Sequence, residues 1–321
     1  MNSVISTSNH DLVTMGRVGV DLYPLQVGVG LEDVTSFGKF LGGSPTNVAV
    51  AAARYGLSSA VITRTGNDPL GRFISQELTR LGVDAQFVTR VEEINTPIVL
   101  CEIFPPDNFP LYFYREPVAP DLLLSEDELD RVAITGAKVF WLTTTGLSRE
   151  PSRSAHFAAL EMRARAHHTI LDLDYRAQLW ASPEEAHDNI TRALAQCTIA
   201  IGNREECEVA VGETDPMRAA DALLERGLEI AVVKQGPKGV LAKTASETIE
   251  MAPFPVDVVN GLGAGDAFGG AFVYALLQGW EMTKVLRYAN MAGSIVAGRL
   301  ECATAMPTLK ELEDALEGAR S

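Results

Sequence analysis

The most informative part of this chain is the stretch Val258-Val259-Asn260-Gly261-Leu262-Gly263-Ala264-Gly265-Asp266-Ala267-Phe268. Its small residues run directly into an apolar segment, residues 267–277, which predicts a helix that stops before Gly279. Small residues at a helix start leave the backbone N–H groups of the first turn uncovered, and the helix dipole favours negative charge there. The stretch therefore predicts an anion site formed by Gly263, Ala264 and Gly265.

Asp266 is the unusual member of this turn, because its carboxylate would repel a bound phosphate. That repulsion is useful only if the carboxylate takes a proton from the group that attacks the phosphate. One hypothesis is therefore phosphoryl transfer, with Asp266 as the general base. The other is a glycine-rich turn in which Asp266 simply caps the helix. The stretch by itself leaves both hypotheses open.

The overall composition limits the class of protein. The chain has 321 residues, of which 46% are hydrophobic and 21% charged, and this is ordinary for a globular protein of one large α/β domain or two small ones. The net charge of −15 argues against a nucleic-acid binder, which needs a basic face. An anionic substrate stays open, because a local group of arginines can override the global field.

Cysteine usage and the first residues indicate the compartment. The four cysteines are scattered without Cys-x-x-Cys spacing, which fits a reducing compartment better than a disulfide framework. Residues 1–10 are polar, so we expect a loose tail there rather than a secretory signal. No apolar run approaches the ~20 residues that span a bilayer. We therefore expect a cytoplasmic protein without a membrane partner.

Strand and helix patterns alternate along the chain. Apolar strand candidates lie at residues 11–20, 60–63, 139–143, 169–176, 199–203 and 230–234. Their alternation with helical segments predicts a mostly parallel sheet with crossover helices. The first strand closes on Asp21, which is either a ligand-binding residue at the carboxyl edge of the sheet or a turn aspartate. No linker divides the chain, so we predict a single domain over residues 11–321.

Two segments do not fit the central sheet and predict a lid. Residues 21–40 are turn-rich and partly alternating, and residues 95–120 contain a hairpin. We expect the two segments to form a small β-sheet over a ligand. Tyr114 and Arg115 at the end of the hairpin either face that ligand or belong to the packing and solvated surface of the hairpin.

A second glycine-rich start precedes an earlier helix. Gly42 and Gly43 stand before the small-residue segment 48–56, which ends at a glycine. Asn47 falls in the first turn, where its amide can hold hydroxyl groups. The double glycine brings bare backbone close to a ligand or to another chain segment.

Charged residues follow three of the predicted strands. They occur in the stretches Asp172-Leu-Asp174-Tyr-Arg176, Asn203-Arg-Glu-Glu206 and Lys234-Gln-Gly236-Pro-Lys-Gly239. Two carboxylates and a guanidinium at one strand end fit a site that handles charge. Glu206 either holds Mg²⁺ through water or is a favourable acidic residue at a helix start. The glycine hairpin after Lys234 fits under a nucleotide.

Together these motifs resemble the signatures of the ribokinase-like (phosphofructokinase B type) sugar kinases. Gly42-Gly43-Ser-Pro-Thr-Asn47 resembles the first signature, and Asn260-x-x-Gly263-Ala-Gly-Asp266 resembles the second. The stretches at 172–176 and 203–206 resemble the family's Asp-x-Asn-x-Arg and Asn-x-x-Glu. The matches span nearly the whole chain in the family's order. The family usually has Asp-Thr-Thr before Gly-Ala-Gly-Asp, so residues 260–262 depart from it.

The resemblance implies a three-layer α/β/α ribokinase-like fold, ATP as donor, a sugar hydroxyl as acceptor and Mg²⁺ between the phosphates. It leaves the dependence on a monovalent cation such as K⁺ open. Asp266 is implied as the base, with the amides of residues 263–265 stabilising the transferring group. The implied acceptor-binding residues are Asp21, Gly42, Gly43, Asn47, Tyr114, Arg115 and Arg176. The implied nucleotide-binding residues are Asn203, Lys234, Gly236, Gly239 and Asn290, and Glu206 is implied as a water-mediated metal partner.

Two further stretches, residues 16–23 and 104–117, resemble family members that phosphorylate a sugar acid in myo-inositol catabolism. Arg115 and Arg176 are then candidates for the carboxylate of the acceptor, because a guanidinium binds a carboxylate bidentately. Another sugar acid or fructose remains an alternative acceptor. The alternative from a different functional class is a regulatory protein that binds nucleotide and sugar but does not catalyse a reaction. A homodimer formed along the edge of the lid is also left open.

Overall fold

Fourteen strands form two sheets in the computed structural model, which describes residues 10–319. In chain order the strands are β1 (Leu12–Met15), β2 (Gly19–Pro24), β3 (Phe37–Gly42), β4 (Ser59–Gly66), β5 (Val83–Asp84), β6 (Val88–Val91), β7 (Ile98–Cys101), β8 (Leu111–Tyr114), β9 (Val139–Thr143), β10 (Thr169–Asp172), β11 (Ile199–Asn203), β12 (Ile230–Lys234), β13 (Val240–Lys243) and β14 (Thr248–Met251). The helices are α1 (Ser44–Arg54), α2 (Pro69–Arg80), α3 (Arg131–Gly136), α4 (Ser152–Arg163), α5 (Pro183–Leu194), α6 (Arg204–Val211), α7 (Pro216–Glu225), α8 (Ala264–Leu277), α9 (Met282–Ala297) and α10 (Leu309–Gly318).

The central sheet is mostly parallel, as predicted. Its order is β14-β13-β12-β11-β10-β9-β1-β4-β5, and β6 pairs with the second half of β4. Only β13 and β14 at one edge run antiparallel. In the middle, Met15 of β1 lies opposite Leu142 of β9 and Ile62 of β4. The carboxyl ends of the parallel strands therefore share one edge, where ligands bind in open α/β sheets.

Helices cover both faces of this sheet and complete the three layers. On one face, Val13 and Phe140 pack in a core that includes residues of α3 to α7. On the other, Leu12 and Trp141 pack with residues of α1, α8 and α9. Successive side chains of a strand point to opposite faces, so the same strands supply both cores. This arrangement explains why the central strands are mostly apolar on both faces.

The predicted first strand, residues 11–20, is divided between the two sheets. β1 ends at Met15, and Gly16 has a φ of 142°, which favours glycine. A side chain at Gly16 would also lie 3.0 Å from Thr143 Oγ1. The chain leaves the central sheet at this point and enters β2. Asp21 therefore lies within β2 of the second sheet, and Arg17 is the charged residue that follows the central strand.

The second sheet has four strands, in the order β3-β2-β7-β8. β2 pairs antiparallel with β3 and parallel with β7, and β7 pairs antiparallel with β8. The two predicted lid segments, residues 21–40 and 95–120, therefore contribute to one small sheet. Its closure over a ligand and its pairing with a second subunit stay predictions.

The ends of the folded domain and of two elements differ from those predicted. Residues 1–9 of the predicted tail lie outside the described residues, but His10 is buried and its Nε2 lies 3.1 Å from Asp84 Oδ2, so His10 belongs to the folded domain. The predicted strand 169–176 ends at Asp172, and the predicted helix pair of residues 281–299 is the single helix α9. Within residues 10–319, we find no helix with the length and apolar character that a bilayer crossing requires.

Candidate active site

Helix α8 begins at the predicted anion turn. Gly263 precedes the helix with a φ of 78°, and a Cβ there would lie 2.7 Å from Cys302 Sγ, so the position requires glycine. No side chain caps this helix start. Asp266 is the third residue of the helix, and its carboxylate accepts a hydrogen bond from Asn47 of helix α1. The capped-turn hypothesis is therefore wrong, and the first-turn amides have no side-chain cap.

Asp266 is held by the first turn of α1. This helix starts after Gly43, whose φ is 108°, and Asn47 Nδ2 donates a hydrogen bond to Asp266 Oδ2 at 2.7 Å. Burial raises the pKa of Asp266 to about 6, even though the Asn47 hydrogen bond acts in the opposite direction. A carboxyl group with a pKa near the working pH suits a general base. The two glycine-rich helix starts thus meet at one partly buried carboxylate.

Asp266 lines a cavity of about 350 Å³, which we call the Asp266 cavity. The other predicted site residues that line it are Asp21, Gly43, Asn47, Arg176, Asn203, Glu206, Lys234, Gly236, Gly263 and Gly265. These residues come from both sheets and from the starts of α1, α6 and α8. The fold therefore brings together residues that are more than 240 positions apart in the sequence, such as Asp21 and Asp266.

Asp21 enters the Asp266 cavity from the small sheet. Its Oδ2 accepts a hydrogen bond of 2.8 Å from the Tyr23 hydroxyl, and burial raises the pKa of Asp21 to about 6. A side chain at Gly42, the last residue of β3, would overlap the Asp21 carboxylate. Gly42 itself does not line the cavity among the described residues, so its role is to leave room for Asp21.

A cluster of charges follows the ends of the central strands. Asp174 Oδ2 accepts a hydrogen bond from Arg17 Nη2 at 3.2 Å, and Asp174 Oδ1 lies 2.8 Å from Arg176 Nη2. Burial acts to raise the pKa of Asp174, but Arg176 and Arg17 outweigh it and hold that pKa below its usual value. Burial raises the pKa of Asp172 to about 7, although Lys234 opposes the shift. Positive and negative groups thus alternate along the wall of the Asp266 cavity.

Tyr114 and Arg115 do not join this site, which corrects their predicted role. Along β8 the side chains alternate, so Leu111 and Phe113 line the Asp266 cavity while Tyr114 points elsewhere and is 60% exposed. Arg115 is 7% exposed, and its Nη2 lies 2.6 Å from Asp121 Oδ2. Both residues line a separate cavity formed with residues 93–96 and 116–118.

The structure adds residues that the motifs did not indicate as part of the site. Arg17, Tyr23, Phe113 and Cys302 also line the Asp266 cavity. Tyr23 OH and Cys302 Sγ lie 2.8 Å apart. Gly16 could have indicated that Arg17 belongs to the site. A glycine after a central strand is a place where the chain can turn across the carboxyl edge of the sheet, where ligands bind. Cys302 follows α9 and carries no comparable sequence signal.

A second cavity of about 500 Å³ adjoins the first, and we call it the Asn290 cavity. Predicted residues that line it are Lys234, Gly236, Gly239, Ala264, Gly265 and Asn290. Its walls also include Val240, Phe254, Val256 and Phe268, and the small residue Gly293 of α9. Lys234, Gly236, Gly261 and Gly265 line both cavities. The first turn of α8 therefore forms part of the boundary between them.

Glu206, the predicted metal partner, has a structural role in addition. Its Oε2 accepts the backbone N–H of Asn203 at 2.7 Å, while Asn203 caps α6 in return, and its Oε1 lies 4.0 Å from Arg176 Nη1. The helix-start interpretation of this motif is therefore correct. Within residues 10–319, no group of three or more His, Cys, Asp or Glu residues is arranged to hold a metal. The donor set fits an ion held mainly by water and phosphate oxygens, as Mg²⁺ prefers.

Comparison with known proteins identifies close sequence relatives. The model of the family described as pfkB family carbohydrate kinase matches residues 9–309. The 5-dehydro-2-deoxygluconokinase of Geobacillus thermodenitrificans (strain NG80-2) is 35% identical over 315 residues, which cover 96% of this chain and 93% of that protein. The 5-dehydro-2-deoxygluconokinase of Bacillus subtilis (strain 168) is 31% identical over 313 residues, with 96% of each chain covered.

Solved structures share the fold. A double-mutant fructokinase from Vibrio cholerae O395, in a form with bound fructose, ADP and potassium ion, has a TM-score of 0.85 and 27% identity, and the match covers 96% of this chain and 99% of that one. A putative ribokinase II from E. coli has a TM-score of 0.88 and 22% identity, with the same coverage. These similarities confirm the ribokinase-like architecture with its small additional sheet.

Proposed function

Because the chain belongs to the pfkB family of carbohydrate kinases, and is itself an ATP-dependent carbohydrate kinase, we propose that its acceptor is 5-dehydro-2-deoxy-D-gluconate. The proposed reaction transfers the γ-phosphoryl group of ATP to the primary hydroxyl of this sugar acid and forms its 6-phosphate. We assign the reaction to myo-inositol catabolism. The names of relatives that are 31–35% identical over nearly the whole chain support the choice of acceptor.

The observation that carries the reaction class is the position of Asp266. Its carboxylate lines the Asp266 cavity, and the residue before it, Gly265, lines both this cavity and the Asn290 cavity. An acceptor in the first cavity and a nucleotide in the second therefore meet at the first turn of α8. The base and the uncovered amides are both located at that meeting point.

The proposed chemical step uses Asp266 and the turn before it. The acceptor oxygen forms a bond to the γ-phosphorus while the bond from that phosphorus to the bridging oxygen of ADP breaks. The hydroxyl proton moves to the Asp266 carboxylate, and ADP leaves with the electron pair of the broken bond. Backbone N–H groups of residues 263–265 stabilise the charge on the transferring group. Asn47 orients the base through its hydrogen bond of 2.7 Å.

The remaining charged groups of the site are assigned to binding. Asp21 and the backbone of Gly43, which both line the Asp266 cavity, hold acceptor hydroxyls, and Lys234 faces the phosphates because it lines both cavities. Glu206 would hold Mg²⁺ through water, and the ion would supply neutralisation of phosphate charge. The walls of the Asn290 cavity receive the nucleotide base. A monovalent cation is proposed by analogy with the potassium-bound fructokinase structure, which is 27% identical.

A side-by-side kinetic assay tests the proposed acceptor. ADP release is measured with 5-dehydro-2-deoxy-D-gluconate, 2-dehydro-3-deoxy-D-gluconate and D-fructose, and Asp266→Asn prepared in the same way controls for contaminating kinases. We expect the highest kcat/KM for the first compound. A higher value for either other acceptor would replace the proposed substrate. Absence of ADP release with every sugar and sugar acid tried would favour a regulatory protein.

A further inference from the structure

We propose that Arg17 binds the carboxylate of the acceptor and thereby selects sugar acids over neutral sugars. The inference rests on the proposed function, because it concerns the acceptor of the same site. Arg17 follows the end of central strand β1, and its side chain lines the Asp266 cavity. The residue is only 8% exposed, so its guanidinium is held within the site.

The positive charge of Arg17 is only partly balanced. Asp174 is shared between Arg17, at 3.2 Å, and Arg176, at 2.8 Å, so one carboxylate faces two guanidinium groups. Arg17 Nε is buried and has no hydrogen-bond partner. A buried donor without an acceptor is unfavourable. An incoming carboxylate can accept from Nε and a neighbouring Nη in the fork geometry that guanidinium provides.

The other cations of the Asp266 cavity are engaged elsewhere. Lys234 Nζ lies 3.2 Å from the position that a Cβ of Gly265 would occupy, directly beside the anion turn. Arg176 Nε is also buried without a hydrogen-bond partner. Its Nη2, however, lies 2.8 Å from Asp174 Oδ1 and its Nη1 lies 4.0 Å from Glu206 Oε1, so two carboxylates face this guanidinium. Of the two described arginines that line this cavity, Arg17 has one neighbouring carboxylate and Arg176 has two, so Arg17 is the less neutralised cation and the one we assign to the carboxylate of the acceptor.

Two contacts orient the Arg17 guanidinium. Asp174 holds its Nη2 from the central sheet, and the Phe113 ring of the small sheet lies 5.6 Å from its Cζ. Asp21, the proposed hydroxyl-binding residue, lines the same cavity. An acceptor can then place its hydroxyls at Asp21, its carboxylate at Arg17 and its reacting hydroxyl at Asp266.

The test measures acceptor preference in Arg17→Gln. We expect kcat/KM for 5-dehydro-2-deoxy-D-gluconate to fall by roughly 100-fold, mainly through KM, because two charge-assisted hydrogen bonds are lost. For D-fructose we expect a fall of less than about 5-fold. Arg17→Lys keeps the charge but loses the fork, so it should lie between. If a variant binds an acceptor without phosphorylating it, dissociation constants from calorimetry allow the same comparison between the two acceptors.

The matched control removes a buried arginine outside the site. Arg115→Gln combined with Asp121→Asn eliminates both members of the 2.6 Å ion pair and should leave the acid-to-fructose ratio unchanged. Asp174 retains Arg176 in both Arg17 variants, so they should fold, and their unfolding midpoints check this. If Arg17→Gln does not fold, the ratio in Arg17→Lys decides.

Two outcomes would overturn the assignment in distinguishable ways. A wild-type preference for the acid together with equal losses on both acceptors in the Arg17 variants would reject Arg17 and keep the proposed function. A wild-type preference for fructose would reject the proposed acceptor, and with it the need for a carboxylate-binding arginine.

Discussion

Replacing Asp266 with asparagine should have opposite effects on activity and stability. In the wild type, Asn47 Nδ2 donates a hydrogen bond of 2.7 Å to the Asp266 carboxylate. The asparagine side chain has nearly the same shape as aspartate, and its amide oxygen can still accept this hydrogen bond. It cannot take a proton from the acceptor hydroxyl. A general base contributes ~10²–10⁴-fold to the rate, so we expect kcat to fall by at least about 100-fold while ATP binding is kept.

The stability gain follows from the cost of burying the charge. Burial raises the pKa of Asp266 from 3.8 to about 6, so the ionised group destabilises the folded state at neutral pH. A shift of this size corresponds to about 3 kcal/mol at pH 7, at 1.36 kcal/mol per pKa unit. A neutral amide removes much of this cost. We therefore expect the free energy of unfolding of Asp266→Asn to exceed that of wild type by up to about 3 kcal/mol at pH 7.

The pH dependence of this gain has a defined sign. Between about pH 4 and pH 6 the folded wild type binds more protons than the unfolded chain, so the stability that Asp266 contributes is lost as pH rises through its folded pKa. The advantage of the variant should therefore be absent below about pH 4, grow up to pH 6 and stay constant above.

Coupled ADP assays, calorimetry with ATP and urea unfolding at several pH values measure these effects. Asp188→Asn, which changes an exposed carboxylate on α5, is the matched control and should alter neither property. A kcat above about a tenth of the wild-type value would refute Asp266 as the base. A less stable variant at pH 7 would refute the electrostatic argument, because it would show that the ionised carboxylate is a net stabilising group.

Two further predictions concern the pH profile and the anion turn. We expect kcat/KM to fall as pH drops through about 6, because protonated Asp266 cannot act as a base, and this limb should persist in Asp21→Asn. Its disappearance there would assign it to Asp21, whose pKa burial also raises to about 6. We expect Gly263→Ala to lower the urea midpoint more than Gly56→Ala. Both glycines have a positive φ, of 78° and 86°, but only a Cβ at Gly263 would meet another atom within 4 Å, namely Cys302 Sγ at 2.7 Å. Equal losses would mean that backbone strain alone accounts for the effect.

The predictable part of the site consists of features encoded locally. A run of small residues before an apolar helix exposes amides, so the uncapped first turn at residues 263–265 follows from the sequence, while its binding of an anion stays a prediction. The same holds for Asn47, because its distance from Gly43 places it in the first turn of α1. Unbroken apolar strands that alternate with helices likewise predict a parallel sheet buried on both faces. Each of these inferences needs only neighbouring residues.

The part of the site that the sequence could not predict depends on which side chains of a strand face the Asp266 cavity. In Leu111-Tyr-Phe-Tyr114 every residue is large and apolar or aromatic, so the sequence has no alternation to show that Phe113 rather than Tyr114 faces the cavity. Arg115 was therefore expected near the acceptor, whereas it forms a buried ion pair with Asp121. Arg17 was missed because the backbone break at Gly16 is hidden within an apparently continuous strand.

The departure of residues 260–262 from the usual family motif has a packing explanation. Asn260 is fully buried, its Nδ2 donates to Leu300 O at 2.8 Å, and its Oδ1 accepts from the N–H of Leu262 at 3.0 Å. This amide therefore ties the segment after α9 to the segment before α8, and both of its polar atoms are used internally.

Gly261 and Leu262 connect that segment to the small sheet. A Cβ at Gly261 would lie 2.9 Å from the Phe109 ring, so a side chain there would displace the hairpin between β7 and β8. Leu262 and Phe109 both pack against the cluster that contains Tyr23 and Cys302. The residues that differ from the family motif thus hold the small sheet against the anion turn. Because Gly261 also lines both cavities, a shift of this hairpin would change the shape of the proposed phosphoryl-transfer site.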